Sequence, residues 1–198
     1  MGLLPTPDPS REREGSEPCR AGGEVRRSGV GLALALLASA CAPARIAEAP
    51  PAPVAAPLPA APVDFLLVDK SDRTLVLYAK GQPVRRYTGL QFGDAPFGHK
   101  RFEGDERTPE GDYIIDTRNP NSAYHLSLRV SYPNARDRAF AGSYGRSPGG
   151  DIFLHGQPNG FTGRVAGDWT DGCIAFSNAE IEELWRLVAD GTRIRIQP

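Results

Sequence analysis

Cysteine is scarce in this chain of 198 residues: there are three, at positions 19, 41 and 173, and no two have the C-x-x-C spacing. That scarcity excludes a disulfide framework and a zinc ribbon or dithiol redox motif. An excess of one charge sign is also missing. The 23 Lys and Arg residues balance 24 Asp and Glu, for a net charge of −1, so neither a basic nucleic-acid surface nor an acidic solvating tail is expected. The apolar run Val30–Ala38 falls far short of the ~20 residues that cross a bilayer. The histidines, His99, His125 and His155, lack the His-x-x-x-His spacing of a metal site, and none is expected. No cofactor is implied.

What is plentiful is proline and glycine, 19 and 22 residues, so part of the length is expected to lie outside a packed core. Residues 1–24 hold four prolines, scattered charges and no apolar period. They read as a disordered leader. Arg26 and Arg27, the run Val30–Ala38 and the small residues Ser39-Ala40 before Cys41 form a secretory signal peptide over 25–40. Because the basic region starts so late and Met1 is the sole methionine, Val25 is the expected true start. The small residues before Cys41 resemble a bacterial lipobox, which makes Cys41 the candidate lipidation site and a periplasmic, membrane-anchored location the expectation. Plain cleavage after Ala40 and an uncleaved anchor are the alternatives. Residues 42–63 contain nine Ala and seven Pro, the composition of a semi-rigid tether.

From residue 64 the pattern changes to short alternating runs. Phe65–Tyr78 reads as two strands about a polar turn at Asp69–Arg73, and Lys80-Gly81 turns into Val84–Thr88. Further runs follow at Tyr113–Asp116, His125–Val130, Asp151–His155, Cys173–Phe176 and Arg193–Ile196, with Asn119-Pro-Asn121 and Tyr132-Pro-Asn134 as turns. The class is mainly β, a sandwich or barrel-like sheet. One helix is expected near the C-terminus, where Ile181, Leu184, Trp185 and Val188 repeat at helical spacing after a Ser177/Glu180 capping box. That stripe is expected in the core.

Chemistry points to Cys173. A lone thiol in an exported domain is either buried and inert or a nucleophile. It follows Gly172, where a tight loop lets backbone N–H groups converge on the attacked atom. His155 ends the apolar run Ile152–Leu154 and precedes Gly156, which sets its imidazole at a strand end as a general base.

His155-Gly156, an intervening loop, and Thr170-Asp171-Gly172-Cys173 resemble the signature of the YkuD-domain L,D-transpeptidases, supported by the upstream segment Gly104–Tyr113. The resemblance covers nearly all of 64–198. It implies the family's β-sandwich, with one packed helix near the C-terminus and a long active-site loop between His155 and Cys173. The implied activity is peptidoglycan cross-linking: Cys173 forms a thioester with the L-centre of diaminopimelate in a stem peptide and an amine accepts the acyl group. His155 then activates the thiol, the Gly156 carbonyl orients the imidazole, and N–H groups at Gly172 and Cys173 hold the oxyanion. Thr170, Asp171 and Arg107 are the candidate substrate contacts, with Thr170 alternatively a loop support through a hydroxyl hydrogen bond or a plain turn residue. His99 is placed near the groove, His125 in the sheet, and Arg101, Arg118 and Arg129 are further candidates for stem carboxylates.

Two departures bear on the substrate. Where the commoner motif has His before Gly-Cys and Arg two places after Cys, this chain has Asp171 and Ala175. A carboxylate beside the thiol opposes its ionisation, and the missing Arg removes a fixed cation. This form resembles a branch that includes a hydrolase detaching the major outer-membrane lipoprotein from peptidoglycan. The alternatives are therefore a carboxypeptidase or amidase, with an outer-membrane lipoprotein as substrate or acceptor, and a non-catalytic peptidoglycan-binding module. Papain-like peptidases place Cys before His, and sortases need an Arg after Cys; neither pattern is met.

Overall fold

The computed structural model describes residues 61–198. The leader, the signal sequence, Cys41 and all of the tether but its last three residues lie outside the described residues. Val63, counted with the tether by composition, is buried in the core.

Alternation builds the first sheet half. In β1 (Phe65–Asp69), Leu66 and Val68 point inward; β2 (Thr74–Ala79) buries Leu75 and Leu77. Between β2 and β3 (Gln82–Thr88) the two-residue loop Lys80-Gly81 has φ of 52° and 74°. Both positive values give the turn whose twist matches that of the flanking strands. β4 is longer than the sequence suggests, Gly111–Ser122, because the chain continues through Asn119-Pro-Asn121 as an irregular strand with a register shift instead of a turn. β5 spans His125–Val130, β6 Phe153–His155, β7 Ile174–Ala175 and β8 Arg193–Gln197.

The strand order is β3-β2-β1-β8-β4-β5-β6-β7. β4 is the seam: its first residues, Gly111–Ile114, pair with β8, and from Ile115 onward it pairs with β5. Both halves contribute to one apolar cluster, with Leu66, Leu77 and Ile194 from one side and Leu128, Leu154 and Ile174 from the other. The sheet therefore folds over a single core. Its two ends are stitched as well, since Gln91, after β3, bridges Ala175 of β7 through N–H···O bonds of 3.2 and 2.8 Å.

Two helices are present where one was expected. α2 (Asn178–Leu187) is the foreseen one: Ser177 and Glu180 close a reciprocal capping box, and Ile181 and Leu184 are buried. Trp185 is only half-buried, packed against the core with the Arg118 guanidinium 4.2 Å over its ring. α1 (Ala135–Ser143) was not foreseen. Asn134 caps it by accepting from the N–H groups of Arg136 and Asp137, and only Asp137 and Ala141 are buried. With no apolar stripe, it leaves no helical signal in the sequence.

Candidate active site

β6 and β7 run parallel, with Leu154 opposite Ile174 and His155 opposite Ala175. Strand side chains alternate, so Cys173, one residue before β7, falls on the same face as His155. Both line one cavity of about 460 Å³ together with Ser122, Tyr124, Ser127, Asp151, Trp169 and Asp171. The 156–172 loop joins them without helix or strand.

His155 is 3% exposed. Its Nδ1 lies 2.7 Å from the Gly156 carbonyl oxygen; a carbonyl only accepts, so Nδ1 carries the proton and Nε2 keeps a free lone pair. The ring is flanked by Tyr124 (centroids 4.6 Å apart) and Trp169 (5.5 Å, edge-on). Burial lowers the imidazole's pKa, and the Gly156 carbonyl only partly offsets this. Gly156 has no room for a side chain: a Cβ would stand 2.6 Å from Asn178 Oδ1.

Cys173 Sγ accepts from the Phe153 N–H and donates to the Asp151 carbonyl, each at 3.4 Å. Burial pushes the thiol up to about 11, with the Asp171 and Asp151 charges adding to the rise and the Phe153 N–H opposing it. Gly172 has φ +118°, and a Cβ there would meet the Arg107 carbonyl oxygen at 2.4 Å. Only glycine fits this position.

Thr170 was expected as a substrate contact, and it lines the cavity, but its hydroxyl is turned into the loop. Oγ1 donates to the Cys173 carbonyl at 2.8 Å and accepts from the Gly172 N–H at 3.3 Å. That Gly172 N–H, the expected oxyanion donor, is thus already engaged. Asp171 is exposed at the cavity rim. Arg107 does not reach the cavity: its side chain is exposed and its Nη1 lies beside Gly98. It acts through its backbone, on which Gly172 sits.

The other candidates disperse. His99 is not at this groove: its Nδ1 accepts from the Glu110 N–H at 2.8 Å and its Nε2 faces Asp137 at 3.4 Å, in a separate cavity. His125 contacts Glu182 at 2.7 Å. Arg101 stacks on Phe140, Arg118 on Trp185, and Arg129 pairs with Asp116. Among the described residues that line the cavity there is no Lys or Arg, while Asp151 and Asp171 are both present.

Several contributors were not visible in the sequence. Arg73 grips Asp168 with two 2.7 Å bonds, holding that carboxyl below its usual range, and Asp168 Oδ1 also accepts the Phe92 N–H at 2.9 Å. The N–H groups of Trp169 and Thr170 both donate to the Phe92 carbonyl. Gln91 and Gln157, both buried, bond each other at 3.2 Å and hold the loop's carbonyls at Val165 and Gly167 and the Val165 N–H. Thr108 Oγ1 donates to the Gly172 carbonyl at 2.9 Å. Each of these partners is far away in sequence, and no local motif marks them.

A thiol and an oriented imidazole share one cavity at the end of a folded-over sheet, an arrangement suited to cysteine nucleophile chemistry. The model of the YkuD L,D-transpeptidase catalytic domain matches residues 64–196, and the chain belongs to this family. YafK of Escherichia coli strain K12 is 28% identical over 132 residues, 63% of this chain and 46% of YafK. Among solved structures, the helical cell shape determining protein Pgp2 from Campylobacter jejuni is 29% identical, with a TM-score of 0.56 over 68% of this chain and 47% of Pgp2. Bd1075 of Bdellovibrio bacteriovorus is 27% identical, with a TM-score of 0.50 over 70% of this chain and 49% of Bd1075. The chain spans about half the length of the relatives it matches.

Proposed function

We propose that the protein is a cysteine-dependent acyltransferase of peptidoglycan stem peptides, an L,D-transpeptidase. The carrying observation is the placement of Cys173 and His155 on one strand face and in one cavity, with the imidazole's Nδ1 tied to Gly156.

Burial favours the neutral form of both groups, raising the thiol's pKa and lowering the imidazole's, which supports a general-base reading in which the thiol proton moves as Sγ attacks. As Sγ attacks the carbonyl at the L-centre of diaminopimelate, the thiol proton passes to His155 Nε2. The tetrahedral oxyanion is met by the Cys173 N–H, with Gly172 N–H shared between it and Thr170. Collapse passes the proton to the departing D-alanine amine and leaves a thioester on Cys173. An acceptor amine attacks the thioester, gives its proton to His155, and the thiol is restored.

A second reading, amide hydrolysis, is favoured by the cavity's charge. Asp151 and Asp171 with no lining Lys or Arg suit a departing amine that leaves as its ammonium better than they suit a carboxylate. In that reading water resolves the thioester, and the leaving amine can be that of an attached lipoprotein.

Full-length protein incubated with diaminopimelate-type muropeptides and followed by mass spectrometry tests both. Cross-linked dimers indicate transfer; loss of D-alanine without cross-linked product, or release of a lipoprotein peptide from lipoprotein-bearing muropeptides, indicates hydrolysis. Cys173→Ala abolishes every product, and retained turnover would overturn the assignment. We place the enzyme in the periplasm, anchored through lipidated Cys41; Cys41→Ser is expected to move it from the membrane to the soluble fraction.

A further inference from the structure

α1 contributes two buried side chains and has no apolar face, so the core does not account for it. Its outer surface and the neighbouring 97–107 segment carry a different asset. Phe102, Phe140 and Tyr144 form a ring cluster with centroids 5.1 to 6.0 Å apart, and Tyr144 is 63% exposed. Arg146 stacks over Phe102 at 3.9 Å and Arg101 over Phe140 at 4.3 Å. Arg101, Arg136 and Arg146 are exposed, and none has a carboxylate partner among the described residues.

Beside the cluster lies the second cavity, about 780 Å³, which Arg101, Arg136 and Phe140 help to line. Its acidic residues are committed: Glu110 to Lys70 at 2.7 Å, Asp112 to Arg195 at 2.7 Å, and Asp137 to the Tyr113 hydroxyl at 3.1 Å. Three guanidiniums without a carboxylate partner thus stand on this face, near the exposed Glu103.

The face is also fixed relative to the nucleophile. The segment that bears Arg101 and Phe102 turns its other side to the catalytic loop, where Thr108 Oγ1 donates to the Gly172 carbonyl. Glu103 N–H bonds the Ser147 carbonyl at 2.9 Å. Asp151, on the active-site cavity, follows Arg146 by five residues, a reach of at most ~18 Å.

We propose that this aromatic and arginine face is a second, non-catalytic binding site for the glycan strand of the polymer whose stem peptide enters the active-site cavity. The proposal rests on the peptidoglycan reading above. A sugar ring stacks on the exposed Tyr144, and the guanidiniums, held planar over Phe102 and Phe140, take carboxylates of neighbouring stems in two-pronged bonds. A membrane surface is the poorer fit, because α1 has no apolar face to lay into a headgroup layer.

The test uses the full-length protein and the exposed double variant Tyr144→Ser with Arg146→Gln, with Arg101→Gln as a second variant. Co-sedimentation with purified sacculi is expected to weaken about tenfold in the double variant, and turnover of sacculi to fall with it. Turnover of a free stem tetrapeptide stays within about twofold of the parent, which also shows that the variants fold. Undiminished sedimentation in both variants overturns the proposal, as does loss of binding to anionic vesicles with sacculus binding intact. If the parent binds sacculi through these residues yet acts on no stem peptide, the glycan site stands and the enzymatic reading falls.

Discussion

His155 and Cys173 sit side by side but are held in opposite ways. The imidazole is fixed largely by its own strand end, its tautomer by the carbonyl of the next residue and its depth by strand β6, and only its plane depends on Tyr124 and the loop's Trp169. The thiol stands at the end of a 17-residue loop and is placed by partners 64, 76 and 95 residues away in sequence, namely Thr108 on Gly172 and Phe92 and Arg73 on Asp168. The base is thus a property of one strand end. The nucleophile is a property of the assembled domain, and damage far from it is expected to reach it first.

Gly172→Ala is the severest way to break this asymmetry. The added Cβ collides with the Arg107 backbone at a φ that side chains avoid, and strain plus overpacking amount to about 3 kcal/mol or more. Thermal unfolding is expected to show that loss together with complete loss of Cys173 acylation; a stable, active variant would show that the loop adapts.

Asp168→Ala comes next. It removes a two-pronged pair and leaves the Phe92 N–H without its acceptor. Arg73 is 41% exposed, so solvent screening discounts the pair itself and the stability cost is about 1 to 2 kcal/mol. Activity is expected to fall at least about tenfold, because the loop loses its grip on Phe92. Arg73→Ala combined with Asp168→Ala should then cost little beyond Asp168→Ala alone in turnover assays.

On the base side the effect is smaller and has a direction. Tyr124→Ala opens one face of His155 to water and relieves the burial that lowers its pKa. The acid limb of the pH–rate profile moves to higher pH while the alkaline limb stays. No movement would show that Tyr124 does not set the imidazole's environment.

The smallest effect is on stability against pH. The thiol's pKa is raised to about 11 in the folded state from an ordinary 9.0, so between those values the unfolded chain loses its proton first. Stability is full below about 9 and declines as pH rises through 11. Cys173→Ala flattens this alkaline decline in urea titrations. The lowered imidazole acts at the other end: above the ordinary 6.5 its contribution is full, and it is lost as pH falls through the folded value.

The same asymmetry explains what could be read from the chain. Features carried by neighbouring residues were legible: the Lys80-Gly81 hairpin, the Ser177/Glu180 cap and stripe of α2, and the His155-Gly156 and Gly172-Cys173 pairs. Features that need the assembled fold were not. Arg73, Gln91 and Gln157 carry no local signature, whereas the loop-supporting hydroxyl of Thr170, three residues from Cys173, was within reach of the sequence. α1 has no periodicity to betray it. Asn119-Pro-Asn121 reads as a turn because strand pairing with β5, not propensity, keeps β4 extended there.

The bridge between Gln91 and Ala175 carries one more consequence. β7 is two residues long and ends the strand order, so its outer edge would otherwise offer N–H and C=O groups to any extended peptide. Gln91 occupies both of these groups at Ala175. An extended peptide therefore cannot add itself as a strand at Ala175; under the proposed function, a stem peptide is recognised through side chains and end groups entering from the cavity mouth. The same seal denies a second copy of the chain a template at this edge, which protects the nucleophile's strand from edge-to-edge aggregation.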